Sequence, residues 1–434
     1  MIARGTVCLA LAALPCLAGA AGSGMARAEE RDPFALKPPL PLLRGDVAGT
    51  RQIPGHAPQG MRIGALLVHP QVTLRADADS NILNRANDRA GDVALRLAPA
   101  VRAEGESGPL RFALGAQGTV ARHHKLSGQD HETFGIDAKA GLPLGGALTL
   151  GASGAYARKL EPNHTVGAAQ IDTGPTLFDQ LSGTLAARAE FGVTRLEAKL
   201  EHDRYNYLPV QMDGGARADQ SFRDIRVLAG TVRAERAVAG GRIVFLQGAL
   251  RAADSLHPAP CCSRSSRGGE VLAGIRGDLS GLLAAEISAG YRWRGYRSPR
   301  FADYRGALWR ARVEWYATPL ISVSVSARRD IVDAGLPGAA GAVVDSVGLK
   351  VFHEFRRHVG LVLSAGHSRE KYRDDAAFRP TARTVSVAAE PRYALSSRWL
   401  AGAYARYRNR SSDSALLPRL GQATEGGLWL RFQI

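Results

Sequence analysis

Cysteine, long apolar runs and catalytic signatures are all scarce in this sequence, and each shortage removes a class of protein. Only four of the 434 residues are cysteine. Cys8 and Cys16 lie in the first 28 residues, and Cys261 and Cys262 are adjacent in a Pro-, Ser- and Arg-rich stretch. With no histidine or further cysteine at ligand spacing, neither a disulfide-stapled scaffold nor a zinc site is expected, and no cofactor. No segment beyond the N-terminus holds about 20 uncharged apolar residues in a row, which excludes a transmembrane helix. It does not exclude a closed barrel, in which every backbone polar group is paired within the sheet. No G-x-S-x-G or H-E-x-x-H occurs. The nearest to a Ser–His pair is His367-Ser368, whose adjacency sends the two side chains to opposite faces of a strand. His123-His124 and His202 are the other histidines considered, and no enzyme is expected. Aromatics make up 6% of the chain.

The chain does carry an export signal. Arg4 precedes an Ala-, Leu- and Gly-rich stretch that ends at Ala26-Arg27-Ala28, an A-x-A cleavage site. Residues 1–28 are therefore a signal peptide. Lys+Arg number 56 against Asp+Glu 40, a formal charge of +16. Loss of Arg4 and Arg27 lowers it to about +14, a balance that favours anionic partners. Residues 29–61 include Lys37-Pro38-Pro39-Leu40-Pro41 and further prolines, which rule out a strand or helix interior. They are read as a periplasmic arm, either a tail, a plug or a docking peptide.

From residue 62 to 434 the sequence alternates. Leu283, Ala285, Ile287, Ala289, Tyr291 and Trp293 interleave with Glu286, Ser288, Arg292 and Arg294. Trp309, Ala311, Val313 and Trp315 interleave with Arg310, Arg312 and Glu314. Period-two alternation puts the two sets on opposite faces of a strand. Eighteen such segments are expected, at about 62–77, 90–104, 109–123, 131–142, 147–160, 180–191, 194–207, 217–235, 241–253, 268–279, 282–296, 304–316, 320–333, 342–355, 359–372, 381–394, 398–410 and 421–434. Sixteen is the alternative, because 180–191 and 241–253 alternate poorly. Every second connection is tight, as at Glu106-Ser107-Gly108 and Ser280-Gly281, and those between are longer and more polar. The expected fold is all-β: a transmembrane, antiparallel, up-and-down β-barrel with both termini in the periplasm.

Charge facing mid-bilayer lipid costs about 2–4 kcal/mol per residue, so the ionic rows must face water. The expected pore-lining residues are Arg111, Arg195, Glu197, Lys199, Glu201, Glu286, Arg292, Arg294, Arg310, Arg312, Glu314 and Lys350. Sixteen to eighteen strands leave an aqueous channel, and arginine in excess over acid makes it attractive to anions. Cross-strand Arg–Glu pairs that only brace the wall are the competing reading of each residue. Basic residues near the rims could instead meet lipopolysaccharide phosphates.

Arg75-Ala76-Asp77-Ala78-Asp79-Ser80-Asn81-Ile82 stands at the exit of the first strand. With the proline-rich arm, the signal and the run of paired strands, it resembles the putative beta-barrel porin 2 family of Gram-negative outer membranes over 62–434. That resemblance implies an outer-membrane channel for hydrophilic solutes, and a possible role in passing exopolysaccharide alongside polysaccharide-export components. Asp77, Asp79 and Asn81 read as a polar turn or as a surface calcium site. The last strand carries Phe432 close to its end, as strands recognised by the barrel-assembly machinery do. Outer-membrane lipid and lipopolysaccharide are the other expected partners; nucleic acid is not. A structural or adhesin barrel with a closed bore and a soluble polysaccharide-binding protein are the competing readings.

Overall fold

A computed structural model describes residues 58–161, 174–212, 215–257, 263–333, 341–373, 380–414, 417 and 421–434. The expected signal peptide, most of the arm and the Cys261-Cys262 pair lie outside the described residues. The alternating segments form eighteen long strands. They are Leu66–Asp79 (β1), Asp92–Ser107 (β2), Leu110–His123 (β3), His131–Leu144 (β4), Leu148–Glu161 (β5), Thr176–Phe191 (β6), Thr194–Tyr207 (β7), Ile225–Val238 (β8) and Arg242–Ser255 (β9). Then follow Ser266–Ser280 (β10), Leu283–Tyr296 (β11), Tyr304–Thr318 (β12), Ile321–Asp333 (β13), Gly341–Arg356 (β14), Val359–Arg373 (β15), Thr381–Ala394 (β16), Trp399–Ser412 (β17) and Gly421–Gln433 (β18). Each pairs antiparallel with its sequence neighbour, and β18 pairs with β1 from Gln433↔Gln71 to Glu425↔Asp79, which closes the barrel. Closure leaves the barrel without an open edge. The weakly alternating segments become full strands, β6 and β9, because both neighbours of each hold it in register along its length. Eighteen strands, not sixteen, is the count.

Two expected boundaries were wrong. The strand read from residue 62 begins at Leu66, because Met61–Ile63 turns back and pairs antiparallel with Leu66–Val68. The strand read from residue 217 begins at Ile225. Arg217–Ala218 instead pairs with Val210–Gln211 as a small separate ribbon, and Ser221–Arg223 form a 3₁₀ turn. Asp219 accepts from the Ser221 N–H at 2.9 Å and its hydroxyl at 2.6 Å, and Asp224 accepts from the Tyr207 N–H at 2.7 Å. Those local acceptors take donors that a ladder would need. The Ser221 bonds hold the Asp219 carboxyl below its ordinary range, whereas burial raises that of Asp224.

Tight turns join β2–β3, β4–β5, β6–β7, β8–β9, β10–β11, β12–β13, β14–β15 and β16–β17 at one end of the barrel, where β1 starts and β18 stops. Longer connections occupy the other end. On the outside, Val72, Leu74, Leu95, Leu185, Leu250, Val271, Ile287 and Leu428 are exposed. Trp315, Phe355, Tyr393 and Trp399 are exposed near the tight-turn end, and Phe134, Tyr291, Trp293 and Tyr407 nearer the other. An apolar belt between two aromatic girdles is the surface a lipid bilayer requires.

Inside, strand contact is close at Gly290, opposite Leu272. A Cβ there would run into the Val271 carbonyl oxygen, a backbone atom. Gly290→Ala is therefore expected to force β10 from β11 and to destabilise the folded barrel by about 1–3 kcal/mol. Denaturant unfolding of the refolded protein in detergent measures this.

Candidate functional site: the inner wall

Two observations fix which face looks inward. The first is alternation: in β1, Val72 and Leu74 are exposed while Thr73, Arg75 and Asp77 are buried. The second is reach. Arg251 of β9 meets Asp333 of β13 at 3.0 Å, and Arg233 of β8 meets Glu286 of β11 at 3.3 Å. Neighbouring strands lie about 4.8 Å apart, so partners three or four strands away meet only across the concave side.

Three ion-pair hubs occupy that side. In the first, Arg292 bridges Glu270 of β10 and Asp330 of β13, and Arg310 reaches Glu270 at 3.3 Å. Arg294 adds a contact to Asp333 at 2.6 Å. In the second, the Glu235 carboxylate faces Arg276 at 2.7 Å, Arg233 at 2.8 Å and Arg195 at 3.6 Å, and the Arg233 guanidinium sits 3.7 Å from the Phe245 ring centre. The third lies along the closing seam. Asp77 accepts from Arg75, Arg96 and the Tyr404 hydroxyl. Glu425 pairs with Arg406 and Arg408, each at 3.0 Å, and Arg410 pairs with Glu370 at 2.7 Å.

Each residue of the expected lining set stands on this inner face. They are not brought together into one cluster. Arg195, Glu286, Arg292, Arg294 and Arg310 belong to the hubs above. Glu197 pairs with Lys199 at 3.1 Å and lies 3.5 Å from Arg188, and Glu201 follows on the same row. Arg111 and Glu106, 3.2 Å apart, sit at the tight-turn mouth and are more than half exposed. Arg312 holds Glu314 at 2.7 Å yet leaves 66% of its side chain open to solvent. Lys350 is exposed beside it, one strand beyond Ser324, which donates to Glu314 at 2.8 Å.

Between the hubs run arcs of small inward side chains, which the sequence reading did not single out. One is Ser322, Ser324 and Ser326 on β13, Ser346 and Gly348 on β14, Ser364, Gly366 and Ser368 on β15, and Ser386 on β16. A second includes Gly135 and Gly141 on β4, Gly151 and Ser153 on β5, and Ser182 and Thr184 on β6. The signal was in the sequence as serine and glycine at period two. Small hydroxyl-bearing walls leave space where the hubs fill it.

The acidic turn is a clamp. Asp79 accepts from the Asn81 N–H at 2.8 Å, and the Asn81 amide binds the Arg85 and Gln422 carbonyls and the Arg85 N–H. With Asp77 committed to arginines inside, the calcium reading of this turn has no free ligand set, and no group of three potential ligands occurs among the described residues. His367 and Ser368 lie on opposite faces, the first outside and the second buried inside.

The model of the family described as putative beta-barrel porin 2 matches residues 53–419. No curated protein matches the chain. Among solved structures it is similar to OccAB3 of Acinetobacter baumannii, with 11% identity over 86% of this chain and 100% of that one at a TM-score of 0.47. It is similar also to OccK9 (OpdG) of Pseudomonas aeruginosa, with 14% identity over 87% and 100% and a TM-score of 0.47. The siderophore receptor PirA of Acinetobacter baumannii matches at 6% identity over 84% and 80%, with a TM-score of 0.47.

Proposed function

The chain belongs to the putative beta-barrel porin 2 family, and from that premise we propose that this porin-like outer-membrane barrel is a passive channel for hydrophilic, preferentially anionic solutes, acidic polysaccharide among them. The observation that carries the reading is a closed eighteen-strand wall whose inner face is ionic and hydroxyl-bearing and whose outer face carries an apolar belt. A barrel of that strand number has room for water. Arg312 and Lys350, both open to solvent, and Arg111 at the mouth supply the cationic lining. Serine-lined arcs offer hydroxyl donors and acceptors to a sugar chain without binding it tightly, as passage requires. Most inner arginines have a carboxylate in reach, so the preference for anions is modest.

In planar bilayers the purified protein should give discrete conductance steps and a reversal potential, under a KCl gradient, on the anion-selective side. Clear cation selectivity contradicts the anion preference, and silence contradicts the channel. Barrel function as a closed structural or adhesin element would then be the better reading.

A further inference from the structure

The outer face carries a cationic row that no pore needs. Across β12 to β17, Trp309, Arg329, Asp345, Arg369, Arg383 and Ser411 stand directly opposite one another in successive ladders. Directly paired residues share a face, and here it is the outer one, in phase with exposed Val347, Leu363, Val385 and Val387. Arg329 and Asp345 satisfy each other through two parallel bonds of 2.6 and 3.0 Å. Arg369 and Arg383 then face each other with no carboxylate between them among the described residues, and the Arg369 Nε is buried without a partner. Lys371, exposed two residues along the same face, adds a third cation.

Like charges directly across a ladder are destabilising. At the end of an apolar belt, away from bulk water, they call for an anion. Below the row the same strands present Leu361, Leu363 and Ala365, and Val385 and Val387, a surface for acyl chains. The row lies toward the end with long connections. Guanidinium pairs match phosphate oxygens bidentately.

We propose that Arg369, Arg383 and Lys371 form an external binding site for the phosphorylated headgroup of lipopolysaccharide, with the acyl chains lying on the apolar wall of β15 and β16. Asp345, the carboxylate opposite Arg369, is held by Arg329 through both oxygens, so the three clustered cations fit a bisphosphorylated glycolipid better than a phosphodiester carrying one charge. The site is independent of conduction, so either reading can fail without the other.

The test uses the full mature chain in detergent, titrated with bisphosphoryl lipid A, and reads bound lipid by native mass spectrometry together with the temperature of unfolding in SDS. Lipid A should bind and raise that temperature. Arg369→Gln/Arg383→Gln should weaken lipid A binding by about tenfold or more. The double variant removes a repulsion and keeps an uncharged polar side chain at each position, so folding without lipid should persist. Arg236→Gln, on the outer face near the opposite end, should bind as the parent does. Equal binding by the double variant overturns the proposal. So does equal stabilisation of the parent by phosphatidylglycerol, which would mark a general anionic-lipid surface.

Discussion

Glu370→Gln is expected to be among the most damaging single substitutions in the barrel, costing about 3–5 kcal/mol of unfolding free energy. The Arg410–Glu370 pair, 2.7 Å apart, leaves each side chain only 2% exposed. Tyr372 joins it, donating to Glu370 at 2.9 Å. The two charges come from β17 and β15 and pass over Ala382 of β16, which pairs with Glu370 and is wholly buried. The small side chain there makes the contact possible. Replacing the carboxylate with an amide keeps the shape and one acceptor, but removes the negative charge that faces Arg410 in a place where each side chain is only 2% exposed. Desolvation of a buried ion that has lost this counter-charge outweighs what the pair itself contributed. The measurement is urea unfolding in lipid or detergent, followed by tryptophan fluorescence. A discriminating control is the double variant Glu370→Leu/Arg410→Met, which removes both charges and should recover most of the loss. If Glu370→Gln unfolds at the parent's denaturant concentration, the hub is solvated and the inner wall at this level is wetter than its geometry indicates.

The same contact shows where sequence reading stops. The strands themselves were legible, because a residue that slips one position changes face, and the alternation along β11 and β12 leaves no choice. Tight turns at Glu106-Ser107-Gly108 and Ser280-Gly281 fixed neighbours and antiparallel order. Alternation assigned Arg292, Arg310 and Glu286 to one face, but a face is not a partner. That Arg292 bridges Glu270 and Asp330 depends on register and curvature, which bring together residues 22 and 38 positions apart. Arg406, Arg408 and Arg410 alternate visibly and were overlooked, since their carboxylates arrive from Glu425 and Glu370 on other strands. Arg369 and Arg383 break the rule that placed the others: they fall in the apolar phase of their strands, ahead of Val385 and Val387 in the second case. A charge in the apolar phase near a strand end was a readable sign of an interfacial site. The boundary at residue 217 failed for a different reason, because Asp219 and Asp224 capture backbone donors that periodicity does not reveal.

The second large effect concerns selectivity. Arg312→Glu/Lys350→Glu is expected to turn a modestly anion-selective channel into a cation-selective one with its conductance steps retained. The two side chains are the exposed cations of one arc, flanked by serines and glycines that leave space in front of them. A unit charge 8 Å from a permeating ion in water contributes about 0.5 kcal/mol. Exchanging two cations for two anions changes four such contributions, and screening at 0.1 M salt removes about half of the sum. About 1 kcal/mol remains, disfavouring anions and favouring cations alike, a difference of about 2 kcal/mol between them, so the permeability ratio should move roughly thirtyfold. The shift should shrink at 1 M salt, where the Debye length is about 3 Å. Folding should tolerate the change: Arg312 is largely solvated and Lys350 has no carboxylate within salt-bridge distance among the described residues. Arg236→Glu, on the outer face, is the matched control and should leave the ratio near the parent's. An unchanged reversal potential in the double variant, with conductance intact, would mean that ions travel along the second small-residue arc, between β4 and β6, and that the cations beside Ser324 serve the wall alone.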